Sequence, residues 1–389
     1  MSQLLESRWS ETKEALLEGL QGNKRTVMAT TLENTRKYLA ESATAGATSA
    51  GNVATLNRVI LPVIRRVMPT VIANELVGVQ PMTGPVGQIH TLRVRYADSF
   101  TSSGGTSTTA GEEALSPFKI AEGYSGAAND KAASTAALEG AAGNKLSIQI
   151  LKQTVEAKTR KLSARWTFEA AQDAQAQQGI DIEAEIMAAL AQEITAEIDQ
   201  EVIASLSNLA GTVLTYDQSA VSGTATFVGD EHAALAVQIN RAANLIAQRT
   251  RRGAGNYAVV SPTTLTILQS ATTSAFARTT EGTFEAPTNT KFVGTLNSAM
   301  KVYVNGYATS DDVLIGYKGS SESDAPAFYC PYIPLMSSGV VLDPSTFEPV
   351  VSFMTRYGYV ELTNTASSLG NAADYLAKVA VTTANLKFA

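Results

Sequence analysis

From Leu146 to Phe168 apolar residues fall two apart in three sets: Leu146, Ile148 and Ile150, then Val155 and Ala157, then Leu162, Ala164, Trp166 and Phe168. Glu156, Lys158, Arg160 and Arg165 take the opposite face. A period of two predicts strand, and the register shifts between the sets predict bulges or bends. After Gly179 the period lengthens. Asp181 stands as N-cap, and Ile182, Ile186, Leu190, Ile194, Ile198, Val202 and Leu206 share one i, i+4 row that stops at Gly211. The spacing predicts a helix of roughly thirty residues, about 45 Å long. That exceeds an ordinary globular helix and reads as a spine on which other layers are laid.

The flanks are less regular. Leu5, Trp9, Leu16 and Leu20 form a helical stripe ended by Gly19 and Gly22, and Thr31 to Glu41 reads as a second short helix, so residues 1–45 look like a separate helical element. A small-residue linker, TAGATSAGN, follows, then an amphipathic arm from Val53 to Glu75 broken by Pro62 and Pro69. Strand alternation at Leu92, Val94 and Tyr96 leads into residues 98–145, which are mostly Gly, Ser, Thr and Ala and offer little core. So long an interruption between strands is not expected inside a compact domain, and a lone two-stranded ribbon is marginal in water, so the segment is expected to lie on another molecule. Beyond the spine, GTVLTYDQSAVSGTATFVG reads as a loop or hairpin and Glu231 to Thr250 as a helix. The alternation of helices and strands from Ala233 to Met336 predicts a mixed α/β domain. PVVSFMTRYGYVEL reads as a further strand ribbon, while the tail from Asn371 carries no readable pattern.

Charge sharpens this picture. No Lys or Arg occurs between Arg165 and Arg241, while Glu169, Asp173, Asp181, Glu183, Glu185, Glu193, Glu197, Asp199 and Glu201 are all acidic, so the spine has no internal i, i+4 partner. Opposite charge lies elsewhere, at Arg58, Arg65, Arg66, Arg93, Arg95, Lys152, Lys158, Arg160, Lys161 and Arg165. Arg93, Arg95, Lys158 and Arg160 are therefore candidate partners of Glu193, Glu197 and Glu201, within one chain or between copies. An assembly built on such pairs depends on salt. The net charge of −6 excludes general affinity for nucleic acid. The 44% hydrophobic content over 389 residues suffices for one or two cores. A single Cys330 excludes a disulfide framework. Glu6, Arg8, Glu11, Lys13 and Glu14 interrupt any signal peptide, and Arg65, Arg66, Pro69 and Glu75 break the most apolar segment, so no membrane span is expected.

Candidate chemistry is sparse. His90 shares a strand face with Leu92 and Val94, His232 starts a helix, and Cys330 sits among aromatics and prolines; all three read as structural. The glycines of RRGAGN follow a helix rather than precede one, which makes them a C-cap turn instead of a phosphate cradle. Arg249, Arg251 and Arg252 beside them read as a solvated or ion-paired helix end. Glu193, Glu197 and Glu201 stack as metal ligands could, but neither an Asp-rich loop nor a Glu-x-x-His pair accompanies them. No catalytic residue, cofactor or metal site is expected.

Five blocks carry a resemblance: VMPTVIANELVGVQPMTGPVGQIHTLRVRY, VEAKTRKLSARWTFEAAQDAQAQQGIDIEAEI, QRTRRGAGNYAVVSP, GTLNSAMKVYVNGYATSDDVLIGYKGSSESDAPAFYCPYIPL and FEPVVSFMTRYG. In order, they resemble the major head proteins of T-even-type tailed phages. The resemblance implies an α+β chain with the Hong Kong 97-type phage capsid fold. Residues 1–45 would be a propeptide-like region, 46–87 the N-arm and 88–165 the E-loop with its Gly/Ser/Thr-rich extension. Residues 166–232 and 341–389 would form the peripheral domain, with the spine helix at 181–210, and 233–340 the axial domain. The family removes an N-terminal propeptide, and Leu39, Ala40 and Glu41 fit its cleavage pattern, with the cut before Ser42. The family's larger E-loop insertion has only residues 98–145 as its counterpart here.

The function so implied is structural and non-enzymatic: self-assembly as hexamers and pentamers into an icosahedral virion head. That head would form in the host cytoplasm and enclose double-stranded DNA without specific binding. Its partners would be further copies of the chain, a scaffold, a portal, a prohead protease, and vertex and decoration proteins, with no membrane. An encapsulin-type shell around cargo enzyme is the alternative with the same fold. A hydrolase or ligand-binding α/β protein would need a convergent polar site that the sequence lacks.

Overall fold

The computed structural model describes residues 9, 13–14, 16–17, 20, 22–44, 72–103, 107–112, 114, 123–126, 132–140, 143–178, 181–211, 213–221, 228–250, 252–271, 276–278, 291–297, 299–321, 324–362 and 372–382. Residues 9, 13–14 and 16–17 are helical; the first continuous element is helix α1 (Asn23–Thr44), followed by the single turn α2 (Ala73–Leu76), β1 (Gly78–Val79) and β2 (Val86–Tyr96). After the short α3 (Thr135–Leu138) come β3 (Leu146–Glu156), β4 (Lys158–Arg165), α4 (Phe168–Gln178) and the spine α5 (Ile182–Leu209). Next are β5 (Val213–Tyr216), α6 (Gln218–Val221), α7 (Val228–Thr250), β6 (Tyr257–Val260), α8 (Pro262–Ser270), β7 (Phe276–Arg278), β8 (Lys291–Leu296) and β9 (Met300–Val304). The chain closes with β10 (Val313–Gly316), β11 (Ala327–Ser337), β12 (Val341–Leu342), β13 (Pro349–Glu361), a 3-10 turn at Ala372–Tyr375 and β14 (Leu376–Val381). Helices and mixed sheets together make the chain α+β.

Two compact units emerge, each assembled from three separate stretches. The first comprises Met1–Gly87, Thr154–Ala204 and Phe328–Val360. Its sheet runs β1-β11-β13-β12, with β4 also paired to β13. In the antiparallel β4–β13 pair Arg160 lies opposite Thr355, Leu162 opposite Phe353 and Ala164 opposite Val351. Alternation along β13 turns Val351, Phe353, Thr355 and Tyr357 inward. The spine is 28 residues long, and Leu190, Ile194, Ile198, Val202 and Leu206 of the expected row are buried. The Asp181 carboxylate accepts from the Glu183 N–H at 3.1 Å, which is the N-cap its position suggested. Strand alternation stops earlier than expected: Ala157 separates β3 from β4, its N–H bonded to the Pro85 carbonyl, and Phe168 begins α4.

Helix α1 runs across both halves of the expected Thr31–Glu41 helix and belongs to this unit rather than standing apart. Val27, Met28, Thr31, Leu32 and Asn34 form its buried stripe. Asn23 and Asn34, eleven positions apart and so on one helical face, reach strand-end carbonyls. Asn23 Nδ2 donates to Val79 O at 3.2 Å, and Asn34 Nδ2 donates to both Met82 O at 2.6 Å and Tyr332 O at 2.9 Å.

The second unit comprises Gln88–Gln153, Ser205–Ala327 and Glu361–Ala389. Its seven-stranded sheet runs β5-β14-β10-β6-β9-β8-β7. Leu235, Ile239, Ala242, Ala243 and Ile246 of α7 and Ile267 and Leu268 of α8 join the core with Val260, Val302, Val313, Ile315 and Val379. Strands β6 and β10 are buried throughout, which explains their unbroken apolar runs. Tyr257 is the register partner of Gly316, and a Cβ there would stand 2.2 Å from the Tyr257 ring. The unread tail supplies β14, paired between β5 and β10. GTVLTYDQSAV, expected as loop or hairpin, forms β5 and α6, and β5 pairs in parallel with β14 instead of with a sequence neighbour.

The β2–β3 ribbon is the two-stranded sheet of this chain. The segment behind it holds more core than its composition suggested. Tyr96, Ala114 and Tyr124 are buried together against Val94 and Phe100, with the Tyr96 and Tyr124 ring centroids 4.6 Å apart. The Tyr124 hydroxyl donates to Lys145 O at 2.6 Å and accepts from the Asp98 N–H at 3.2 Å, closing the ends of the loop on each other. The arm residues 46–71 lie outside the described residues.

Candidate assembly surfaces

Strand β4 presents Arg160 inward, and its register with β13 places Tyr357 on the diagonal position of the same face. The carboxylates of α5 that come within reach are one turn apart. Arg160 Nη1 donates to Glu197 Oε2 at 2.6 Å, Nη2 to Glu201 Oε2 at 2.6 Å, and Nε to the Tyr357 hydroxyl at 2.6 Å. The Tyr357 hydroxyl in turn donates to Glu201 Oε2. All three nitrogens of the guanidinium are engaged, a use of its planar fork that an ammonium could not copy.

Burial opposes the charge on both sides, but the bonds outweigh it. Burial alone would raise the Glu201 carboxyl, yet the donors Arg160 and Tyr357, with Lys158 nearby, hold it below the usual carboxylate range. Burial likewise works against the Arg160 cation, and Glu201 and Tyr357 raise its pKa nonetheless. Burial and the adjacent Glu201 push the Tyr357 phenol up.

The other candidates are placed differently. Glu193 is exposed on the same row and has no partner among the described residues, and Lys158 is exposed and acts on Glu201 through space. Arg95 is half-buried in the second unit, and its Nε finds no partner among the described residues. The Arg93 side chain lies outside the described residues. Glu41 and Ser42 fall in the last turns of α1, and their side chains too lie outside the described residues.

Two residues escaped the sequence reading. Tyr357 joins the cluster only through the β4–β13 register. Asp199 was read only as one of the spine's acidic residues, yet it is 1% exposed. Its signal was there: Asp199 sits on an i, i+4 row with Met187, Ala191, Thr195 and Ile203, all buried. Its Oδ1 accepts from the Ile72 N–H at 2.8 Å, fixing the start of α2, while Oδ2 has no partner among the described residues. Burial pushes the Asp199 carboxyl up to about 7, against the opposing pull of that N–H.

Three further polar groups singled out in the sequence are buried or have partners. Buried Cys330 has its thiol pushed up to about 12 by burial. His232 Nδ1 lies 2.6 Å from Ser270 Oγ. Arg252 of the glycine turn pairs with Asp324 at 2.5 Å. Among the described residues no group of three or more His, Cys, Asp or Glu side chains could hold a metal ion, and no helix is long and apolar enough to cross a membrane.

Residues 53–381 match the family described as major capsid protein Gp23. The major capsid protein of Vibrio phage KVP40 is 30% identical to this chain, covering 85% of it and 82% of the relative. The major capsid protein of Enterobacteria phage T4 is 31% identical, covering 82% of this chain and 78% of its own. Among solved structures, one from Mycobacterium phage Bobi aligns with TM-score 0.46 and 13% identity over 80% of this chain and 90% of its own. The capsid of Myoviridae phage XM1 aligns with TM-score 0.43 and 11% identity over 80% of this chain and 92% of its own.

Proposed function

The chain belongs to the Gp23 major capsid protein family of tailed phages, and from that premise we propose how its parts build a shell. The chain assembles as hexamers and pentamers into an icosahedral head around double-stranded DNA, with the Hong Kong 97-type division into arm, E-loop, peripheral and axial parts. Its role is structural rather than catalytic. Scaffold, portal, protease, vertex and decoration proteins act on or with the lattice, and assembly takes place in the host cytoplasm. An encapsulin-type shell is not favoured, because the matched relatives are phage capsid proteins.

The observation that carries the lattice reading is the β2–β3 ribbon. Leu146, Ile148 and Ile150, two apart on β3, project from one of its faces and are exposed, Ile148 to 68%. A ribbon with so much bare apolar surface is marginal alone and is completed by a neighbouring subunit. If Glu41–Ser42 is the processing point, α1 must open its last turns to be cut, because the helix continues to Thr44.

The test replaces Ile148 and Ile150 together by Asp. The exposed side chains contribute little to the free subunit, so far-UV circular dichroism and the urea midpoint are expected to stay within error while closed particles fall at least tenfold. Particles formed at the normal yield would overturn the ribbon's role.

A further inference from the structure

The β2–β3 ribbon is rooted in the first unit, at Val86–Gly87 on one strand and Val155–Glu156 on the other. The root is packed without slack. Val155 is 4% exposed and Met82, in the turn before β2, is 6% exposed. A Cβ on Gly87 would stand 3.0 Å from Val155 Cγ1 and 3.5 Å from Met82 Cε, and one on Gly358 of β13 would stand 2.5 Å from Val155 Cγ2 and 3.3 Å from Met82 Sδ. The Met82 and Val155 side chains therefore fill the space against two bare backbones, and a shift of one displaces the other. Close by, the Ala157 N–H donates to Pro85 O at 2.9 Å and ties the residue after β3 to the turn before β2.

Met82 is fastened from two directions. Its N–H donates to Pro331 O of β11 at 3.0 Å, and its carbonyl accepts from Asn34 Nδ2 of α1 at 2.6 Å. The same nitrogen donates at 2.9 Å to the carbonyl of Tyr332, the next residue of β11. A side-chain amide has two N–H donors, so Asn34 uses both to clasp the Met82 turn to β11. At 5% exposure it is shielded from water that could replace it. The other polar contacts of α1 reach elsewhere, Asn23 to Val79 O and Lys24 Nζ to Glu75 Oε1 at 3.2 Å on the surface. Chain order adds a consequence. Asn23, Lys24 and Asn34 all precede Glu41, so a cut at Glu41–Ser42 leaves the whole clasp on the released side. An intrachain contact with a high effective concentration then becomes a dissociable one.

We propose that α1 is a removable brace on the root of the ribbon. While the helix is docked, Asn34 holds the Met82 turn and the Met82 side chain keeps the root closed; when the helix departs, the root loosens. The removal step rests on the processing proposed above, whereas the brace is a property of the single subunit. Such a device makes one cut near the N-terminus change the base of a ribbon it does not touch, through one amide and one thioether side chain.

Amide hydrogen exchange on the full-length free subunit tests the coupling, with Asn34→Ala and Asn23→Ala set against the parent chain. Asn34→Ala is expected to speed exchange by about tenfold at the Met82 and Ala157 amides, with α7 and β6 of the second unit unchanged. Asn23→Ala, which frees only the Val79 carbonyl, is expected to leave both amides protected. Parent-like protection of Met82 and Ala157 in Asn34→Ala would overturn the brace, and so would equal loosening by the two substitutions. Met82→Ala keeps the carbonyl for Asn34 and removes the side chain, and it decides the matter if Asn34→Ala does not fold. It is expected to loosen Ala157 while α1 exchanges at its parent rate; an unchanged Ala157 would break the link from helix to root. Because exchange is read on the free subunit, failure of the brace leaves the capsid reading intact, and a chain that never forms particles leaves the brace standing.

Discussion

Arg160 shows how much a single side chain can organise when its geometry is saturated. Its partners are partly exposed, with the Glu197 and Glu201 side chains at 45% and 40%, so solvent screens the pairs and the cluster contributes about 1 kcal/mol rather than the value of a buried bridge. Arg160→Ala is expected to lower the stability of the first unit by roughly 1–2 kcal/mol, including lost packing of the stem, read as a shift in urea midpoint. Arg160→Lys is expected to recover less than half of that, because an ammonium cannot reach all three acceptors. Asp199 acts in the opposite sense. Its folded-state pKa, about 7, lies above the ordinary 3.8, so the folded chain holds a proton that the unfolded chain releases. The stability this provides is fully present below about pH 4 and is lost as pH rises through 7. The neighbouring Tyr329 phenol is itself pushed up, by burial first and then by Tyr357, Asp199 and Glu201. Asp199→Asn keeps an acceptor for the Ile72 N–H and removes the titration. Denaturation midpoints measured from pH 4 to 8 should therefore fall in the parent chain and stay nearly flat in the variant.

At the level of elements, legibility followed locality. The spine was readable because its row of Ile, Leu and Val repeats at i, i+4 for seven positions, and its N-cap and length follow from adjacent residues. Arg160 and the Glu197–Glu201 pair were readable as opposite charges, but their meeting within one chain depends on β4 pairing with a strand some two hundred residues away. Strand β14 was invisible because LAKVAV alternates weakly and its partners β5 and β10 are remote. The 98–145 segment misled in composition: its Phe100 and Tyr124 join Tyr96 of β2 in a small core that a count dominated by Gly, Ser and Thr conceals. Helix α1 shows the same limit, since Asn34 reads as a surface residue until both of its carbonyl partners are known. Asn34→Ala would leave Met82 O and Tyr332 O without that donor, costing about 1–3 kcal/mol of docking free energy. Limited proteolysis should then cut the N-terminal segment at least tenfold faster, with the second unit's core unaffected. Unchanged cleavage would mean that the apolar stripe alone holds the helix.

On the scale of the whole molecule, the chain divides into two units, each stitched from three distant stretches. Neither unit carries a convergent catalytic constellation among the described residues, and the polar clusters it does carry brace helices against strands. Among the described residues, large apolar side chains stand exposed on the ribbon, at Leu146, Ile148 and Ile150, and at Phe168 and Phe347. Surfaces of that kind suit a protein whose partners are its own copies, where many modest contacts close into a shell. The match to major capsid protein Gp23 over residues 53–381 supplies the same conclusion independently of surface chemistry. The most direct test is intact mass spectrometry of purified particles, paired with negative-stain imaging of the same sample. Icosahedral heads whose most abundant protein is this chain, at full length or as Ser42–Ala389, are the expected result. Heads built from another protein, with this chain absent or recovered only as monomer, would contradict the capsid role.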